Sequence, residues 1–212
     1  FRTLRDRLTP LLKKVPEKTK STANSETLFE TPFDSNVLTP EEASKKIAAH
    51  GGEIAIAFDL EGETLHRYCV ALSAQESFIV HSSHMGEWAN DQSTKKIAHD
   101  AKSVSRNYPF SNIAFDTNLA AYLVNPGTRS LDFSDIIERW GDGSQLDQSS
   151  AESSLHSHAR LLFTVRDSLA KELHVRELEK LFAELEMPIS ELLAEMESRG
   201  ISVDRKKLES LA

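Results

Sequence analysis

The chain has 212 residues and a mass of 23.7 kDa; 39% of the residues are hydrophobic and 27% are charged, as is typical of a globular domain. It has no apolar run close to the roughly 18 residues that a membrane-spanning helix needs, and its single cysteine, Cys69, excludes both an internal disulfide and a multi-cysteine zinc site. Residues 1–20 carry a charge of +5 and the remainder carries −13, which argues against a protein that binds nucleic acid through bulk charge.

The first part of the chain is predicted to lie apart from the main fold. Residues 1–12 have leucines at helical spacing, whereas residues 13–27 are polar and have the composition of a linker. A helix is then predicted over residues 40–50, because Thr39 is a good N-cap and Gly51 a good terminator.

The central part of the chain is predicted to form a sheet followed by helices. The uninterrupted apolar run over residues 54–58 indicates a strand that is buried on both faces. Further strands are predicted over residues 68–72, 78–80 and 96–99. Helices are predicted over residues 101–107, 117–124, 132–140, 151–173 and 176–198. Strands and helices around one core indicate a layered α/β or α+β domain.

Two carboxylates follow the buried strand directly, in the sequence Asp59-Leu60-Glu61. Residues at i and i+2 of a strand point to the same side, so these two side chains could share a divalent cation. Sites that transfer phosphoryl groups with two metal ions are built from such pairs together with further acids. Alternatively, the two acids simply mark the point at which the strand enters solvent.

Other polar residues give weaker signals. Asp116 could be a third acid, but its place before a helix favours an N-cap. His156 and His158 are two residues apart on a predicted helix and therefore do not face the same way. His99 and Asp100 form a weak candidate dyad, and the sequence has no phosphate-binding loop or nucleophile elbow.

Three segments of the chain together resemble one family. Residues 1–8 are similar to the end of a 5′-nuclease domain, residues 53–61 and 113–125 to a 3′–5′ exonuclease domain, and residues 186–204 to the start of a polymerase domain. These domains occur in this order in bacterial DNA polymerase I, a family A polymerase, so the chain resembles the middle of such a protein.

This resemblance implies a fold and a domain division. Residues 1–27 would be the end of the 5′-nuclease domain and a linker, residues 28–180 the exonuclease-like domain, and residues 181–212 the start of the polymerase domain. The fold would be a ribonuclease H-like (DnaQ-like) mixed sheet flanked by helices, with helical segments at both ends of the chain.

The family's proofreading site uses four acids, and the resemblance carries only two of them onto this chain. Asp59 and Glu61 match the Asp-x-Glu motif. The second acid position holds Val104, and the Tyr-x-x-x-Asp motif is replaced by Ser154 and His158. Because two metal ions need several anionic ligands, the resemblance implies that proofreading has been lost and that Asp59 and Glu61 remain as an empty remnant.

Three expectations follow for this site. Magnesium should not bind tightly at Asp59 and Glu61, and Val104 should be buried against apolar neighbours that close the former metal cleft. One alternative is a live metal-dependent 3′–5′ exonuclease with a rearranged site, in which Asp100 and His158 supply ligands. The other is a free-standing binding or regulatory module.

The resemblance also implies partners for the chain. This fragment would need no cofactor, whereas the parent polymerase would use magnesium. DNA would bind through the parent polymerase, and weakly or not at all through this domain. The domain would pack against its own polymerase domain in a monomeric, cytoplasmic protein that does not bind membranes. Any binding of single-stranded DNA should come from the basic residues 1–20 and should be sensitive to salt.

Overall fold

The helix α1 (Pro40–His50) opens the part of the chain that the computed structural model describes, namely residues 37–128, 130–203 and 207. The Thr39 hydroxyl accepts a hydrogen bond from the Glu42 N–H, and the Glu42 carboxylate accepts one from the Thr39 N–H. Gly51 ends the helix at φ 64°. This helix confirms the sequence prediction, whereas the predictions for residues 1–27 lie outside the described residues.

One mixed sheet forms the centre of the fold. Its strands are β1 (Ile54–Glu61), β2 (Thr64–Ala71), β3 (Ser77–Val80), β4 (Lys96–Ala98) and β5 (Ile113–Asp116). They lie in the order β3-β2-β1-β4-β5. The β1–β2 and β2–β3 pairs are antiparallel, and the β1–β4 and β4–β5 pairs are parallel.

Helices cover both faces of this sheet. They are α2 (Ala101–Ser105), α3 (Thr117–Val124), α4 (Phe133–Trp140), α5 (Ala151–Val175), α6 (Glu179–Leu181) and α7 (Met187–Arg199), with a π-helical turn (Phe182–Glu186) between α6 and α7. Among the helices in the described part of the chain, none is long and apolar enough to cross a bilayer.

Alternate residues of β1 enter two different apolar clusters. Ala55 packs with Leu162 and other α5 residues on one face, whereas Ile54 and Ile56 pack with Ile47 of α1 on the other. Burial on both faces explains why the strand is an uninterrupted apolar run. The mixed sheet flanked by helices and the helical C-terminal part confirm the predicted fold class.

The structure also corrects several predicted elements. The strand β5 was not predicted, because four residues are too few to show a period of two. The strand β1 continues to Glu61 because it pairs with β2 across a turn in which Gly62 has φ 63°. The helix expected over residues 101–107 ends at Ser105, and the one expected over 176–198 is divided by the π-helical turn.

Candidate functional site

Both acids of the Asp-x-Glu pair have basic partners. Asp59 Oδ2 accepts a hydrogen bond of 2.6 Å from Arg67 Nε, and the two residues are direct partners across the antiparallel β1–β2 pair. Glu61 Oε2 lies 3.2 Å from His66 Nε2 near the exposed turn of the same hairpin. The two carboxylates are therefore held by different side chains.

Arg67 also connects the strand end to α5. Its Nη1 atom lies 3.7 Å from Oε1 of Glu152, which is in the first turn of that helix. Nε2 of His81 lies 3.3 Å from the same Glu152 oxygen. An open recess of about 580 Å³ lies at this edge, lined by Asp59, Leu60, Glu61, His66, Arg67 and His81. The sequence analysis missed Arg67, although the register of a β1–β2 hairpin could have placed it opposite Asp59.

The structure brings Asp100, Val104 and His158 together, but at a place separate from the recess that Asp59 and Glu61 line. They line a cavity of about 220 Å³ between β1, α2, α4 and α5. Asp59 and Glu61 do not line this cavity, and Leu60 borders both it and the open recess. The remaining lining is mostly apolar: Ile56, Ala57, Phe58, Leu60, Phe133 and Leu162, with His99 and Ser103.

Val104 is buried, as the sequence analysis predicted. Only 1% of it is exposed, and it belongs to an apolar cluster with Ile56, Ala101 and Phe110. A cavity of about 220 Å³ lies beside Val104, and the closure of the former metal cleft stays a prediction. A carboxylate at this position would face an apolar lining without a counter-charge.

Two histidines contact Phe133 at this cavity. The ring centroids of His99 and His158 lie 5.1 Å and 5.2 Å from that of Phe133. Burial lowers the pKa of His99 to about 4 and also lowers the pKa of His158, so that both imidazoles are neutral at pH 7. The Nδ1 atom of His99 lies 3.0 Å from the Thr117 hydroxyl.

The side chains of His99 and Asp100, the candidate dyad, have different hydrogen-bond partners. The Asp100 carboxylate accepts a hydrogen bond of 2.6 Å from the Ser103 hydroxyl. Ser154, which the sequence analysis matched to a tyrosine motif, lies near the start of α5, where its carbonyl accepts a hydrogen bond from the Ser157 hydroxyl. The contacts of Asp100 and Ser154 involve neighbours within one helical turn.

Asp116 is an N-cap, as its position in the sequence favoured. Its buried carboxylate accepts hydrogen bonds from the N–H groups of Asn118 and Leu119 at the start of α3. It also accepts hydrogen bonds from Asp100 N–H at 3.1 Å and Ala101 N–H at 2.8 Å, at the start of α2. Burial raises the pKa of Asp116 to about 6, although the backbone donors favour its charged form.

His156 lies apart from His158, as their spacing predicted. Its Nδ1 atom is 2.8 Å from the Ser77 hydroxyl and 3.5 Å from Cys69 Sγ, and the Ser77 hydroxyl accepts a hydrogen bond from Arg160 Nε. Burial raises the pKa of the Cys69 thiol to about 12, which keeps the thiol protonated and unreactive.

The side chains that the sequence analysis assigned to a metal site do not fit a pair of magnesium ions. Val104 is apolar and buried, His158 is neutral and packs on Phe133, and Asp59 is bound to Arg67. Within residues 37–128 and 130–203, and at residue 207, no group of three or more His, Cys, Asp or Glu side chains could hold a metal ion. Magnesium needs several oxygen ligands that converge on one point.

Comparisons with known proteins agree with the fold. Residues 59–149 match the family described as "DNA polymerase I, ribonuclease H-like domain". The chain is 30% identical to DNA polymerase I of Mycobacterium tuberculosis (strain H37Rv) over 149 residues, which are 60% of this chain and 16% of the relative. It is 30% identical to DNA polymerase I of Bacillus subtilis over 152 residues, 62% of this chain and 17% of the relative. The matched region is thus about a sixth of these relatives.

Solved structures of two other proteins are also similar to this fold. The "POL domain of Pol1 from M. smegmatis complex with DNA primer-template and dNTP" aligns with a TM-score of 0.69 and 25% identity, over 82% of this chain and 34% of that chain. RNase D of Escherichia coli, an exoribonuclease, aligns with a TM-score of 0.55 and 15% identity, over 76% of this chain and 50% of that chain. The similarity to RNase D is evidence for the fold only.

Proposed function

This chain carries a 3′–5′ exonuclease-like domain of the bacterial DNA polymerase I type, and on that premise we propose that the domain has lost nuclease activity and has a structural role in a longer polymerase. The observation that carries this proposal is that Val104 is buried and His158 is neutral, the two residues that the resemblance sets at positions of metal-binding acids. The remaining pair, Asp59 and Glu61, is already bound to Arg67 and His66.

The chemistry of phosphodiester hydrolysis explains why these replacements matter. Two divalent cations activate the attacking water and stabilise the leaving oxygen, and anionic oxygens must hold both cations. Val104 offers no lone pair, and a neutral imidazole supplies no negative charge. The tyrosine position is Ser154, which is too short to reach a water in the cleft as a phenol would. Loss of several such groups at once leaves no useful rate.

The helix α7 supports the structural role because it has two different apolar faces. Ser190 and Ala194 are buried on the side that contacts α2, and Glu197 pairs with Lys102 of α2 at 2.7 Å. The opposite side exposes Leu192 and Met196, and Ile189 and Leu193, which are partly exposed, lie between the two sides and border a recess against α2 and α3. We assign this exposed side to the contact with the polymerase part of the longer protein.

The remaining partners follow from the same proposal. The parent protein binds DNA and magnesium through its polymerase part, as a monomer in the bacterial cytoplasm, and this domain contributes little to DNA binding. The charge of −13 over residues 21–212 supports this assignment, because non-specific affinity for DNA comes mainly from basic groups near phosphates. The basic residues 1–20 would account for any salt-sensitive binding.

A nuclease assay tests the loss of activity. The chain is incubated with a 5′-labelled single-stranded oligonucleotide in magnesium or in manganese, beside the variant Asp59→Ala/Glu61→Ala. We expect no shortening of the oligonucleotide above the background of that variant, and anisotropy of the same oligonucleotide reports binding. Shortening that depends on Asp59 would contradict the proposal.

The rival interpretation makes a different prediction in the same assay. A rearranged site would use Asp100 and His158, which border one cavity with Val104. Metal-dependent shortening that survives Asp59→Ala and disappears in Asp100→Asn or His158→Ala would establish that rearranged nuclease.

A further inference from the structure

We infer that the cavity of about 220 Å³ between β1, α2, α4 and α5 is a binding site for a small uncharged ring compound that hydrogen-bonds to His158. The site is separate from the recess that Asp59 and Glu61 line. Because such a ligand is neither a metal ion nor a nucleic acid, this site goes beyond the proposed structural role of the domain.

The volume of the cavity limits the size of its ligand. An apolar cavity of about 150 Å³ in another protein stays dry and binds a benzene molecule. The cavity described here, at about 220 Å³, is larger than that and has room for two fused rings. A nucleotide, with its sugar and phosphate, would extend out of it. The size therefore favours a small bicyclic compound.

Most of the cavity lining is apolar and well packed. Ile56 and Val104 are buried, and the rings of Phe58 and Phe133 are half-buried. Ligand pockets are typically of this kind, with apolar and aromatic walls and a small number of polar groups that fix the orientation of the ligand. A ring compound makes more contacts with such walls than a polar chain of the same size does.

His158 is the polar group that would orient the ligand. Its imidazole packs edge-on against the Phe133 ring, and burial alone lowers its pKa. Within the described part of the chain, its ring nitrogens have no hydrogen-bond partner, whereas Nδ1 of His99 lies 3.0 Å from the Thr117 hydroxyl. A neutral imidazole has one donor and one acceptor nitrogen. A ligand with an N–H group would pair with the acceptor nitrogen of His158.

The charges around the cavity favour an uncharged ligand. Asp100 lines the cavity, and its carboxylate already accepts a hydrogen bond of 2.6 Å from the Ser103 hydroxyl. Among the described residues that line the cavity, there is no lysine or arginine. An anion would therefore meet a carboxylate without a counter-charge, and the apolar lining makes the transfer of any charged group from water costly. The same argument excludes nucleotides and other phosphate compounds.

Titration of the 212-residue chain with three indole compounds, followed by the amide signals in NMR spectra, tests the inference. Indole is an uncharged bicyclic ring with one N–H donor, whereas indole-3-acetate adds a negative charge and tryptamine a positive one. We expect indole to bind with a Kd of about 0.1–1 mM, a range that suits so small a ligand. It should shift the amide signals of residues that line the cavity. Both charged compounds should bind at least about 10-fold more weakly.

The variant His158→Phe tests the hydrogen bond separately from the cavity. Benzothiophene has nearly the same two-ring shape as indole but no N–H donor, so only indole can donate to His158. The ratio of the benzothiophene Kd to the indole Kd should therefore be about 3- to 10-fold greater in the parent than in His158→Phe. His174→Phe is the control, because the His174 side chain is 76% exposed, and its ratio should equal that of the parent.

The variant Val104→Phe tests the cavity itself, because a larger ring at this position would occupy the space that the ligand needs. Its affinity for indole should fall at least about 10-fold. The matched control is Val124→Phe, since Val124 is also buried but does not line the cavity, and its affinity should equal that of the parent. If Val104→Phe does not fold, the amide shifts of the parent and the ratio for His158→Phe still decide the question.

Several results would overturn the inference. The parent chain might bind no indole at millimolar concentration, or indole might shift only amide signals far from the cavity, such as those near the exposed Leu192. Equal binding of indole and indole-3-acetate would show that the lining does not select against charge. An unchanged ratio in His158→Phe would show that the imidazole does not bind the ligand. None of these results depends on the nuclease assay, so this inference and the proposed function can fail separately.

Discussion

Asp116 joins the starts of two helices that are distant in sequence. Asp116 is 2% exposed, and its carboxylate accepts hydrogen bonds from the N–H groups of Ala101, before β5, and of Asn118, after it. Charge-assisted hydrogen bonds of this kind are among the stronger ones, and their loss inside a protein leaves buried donors without partners. This residue therefore stabilises the edge of the sheet where β4 and β5 end.

The variant Asp116→Ala tests that role. We expect the free energy of unfolding to fall by about 3 kcal/mol, because several buried N–H groups lose their acceptor together. Urea unfolding measures this change. The matched control is Asp142→Ala, since Asp142 also accepts hydrogen bonds from nearby Ser144 but is exposed. Its replacement should cost less than about 1 kcal/mol. Equal losses for the two variants would show that the buried hydrogen bonds of Asp116 are unimportant.

At the scale of elements, α7 has apolar residues on two sides. Ala194 is 3% exposed and packs towards α2, whereas Leu192 is 55% exposed on the other side. Apolar residues on both sides predict that the helix has neighbours on both sides. Only one of these neighbours lies within the described part of the chain.

Two substitutions on α7 distinguish its faces. In the 212-residue chain, Leu192→Gln should change the free energy of unfolding by less than about 0.5 kcal/mol, because that side chain already meets water. Ala194→Gln should destabilise by about 1–3 kcal/mol, because a larger polar side chain would be forced against α2. Thermal or urea unfolding measures both changes. A large loss for Leu192→Gln would show that another part of this chain covers the exposed side of α7.

At the scale of the whole molecule, buried histidines make stability depend on pH. Burial lowers the pKa of both His99 and His156 to about 4 from 6.5. The unfolded chain therefore binds protons at a pH where the folded chain does not, and stability is lost as pH falls from 6.5 towards 4. Asp116 acts in the opposite direction, because its raised pKa of about 6 adds stability as pH falls towards 3.8. Because two histidines lower the stability on acidification and one aspartate raises it, the free energy of unfolding falls overall as the pH is lowered.

Urea unfolding at several pH values between 7 and 4.5 checks this expectation. Each histidine contributes at most about 3 kcal/mol over its full window. His156→Gln keeps an acceptor for the Ser77 hydroxyl and removes the titration, so this variant should lose less stability on acidification than the parent does. His174→Gln is the control, because His174 is 76% exposed, and it should follow the parent. Identical pH profiles for His156→Gln and the parent would contradict the prediction.

The sequence by itself determined the features that depend on neighbours along the chain. The capping box of α1, the burial of β1 on both faces and the N-cap role of Asp116 were all predicted, because each follows from a few adjacent residues. The burial of Val104 was also predicted, since an apolar residue in an acid position indicates an apolar surrounding. The fold class followed from the order of the elements and from the family resemblance.

Tertiary structure alone decided which distant side chains meet. Arg67 contacts Asp59 because the β1–β2 register sets them opposite each other, and it reaches Glu152 because α5 crosses that face of the sheet. The same packing places Asp100, Val104 and His158 around a cavity that Asp59 and Glu61 do not border. Local patterns in a sequence report the periodicity of each element, whereas these contacts depend on how the elements pack, and packing is set by residues far apart in the chain.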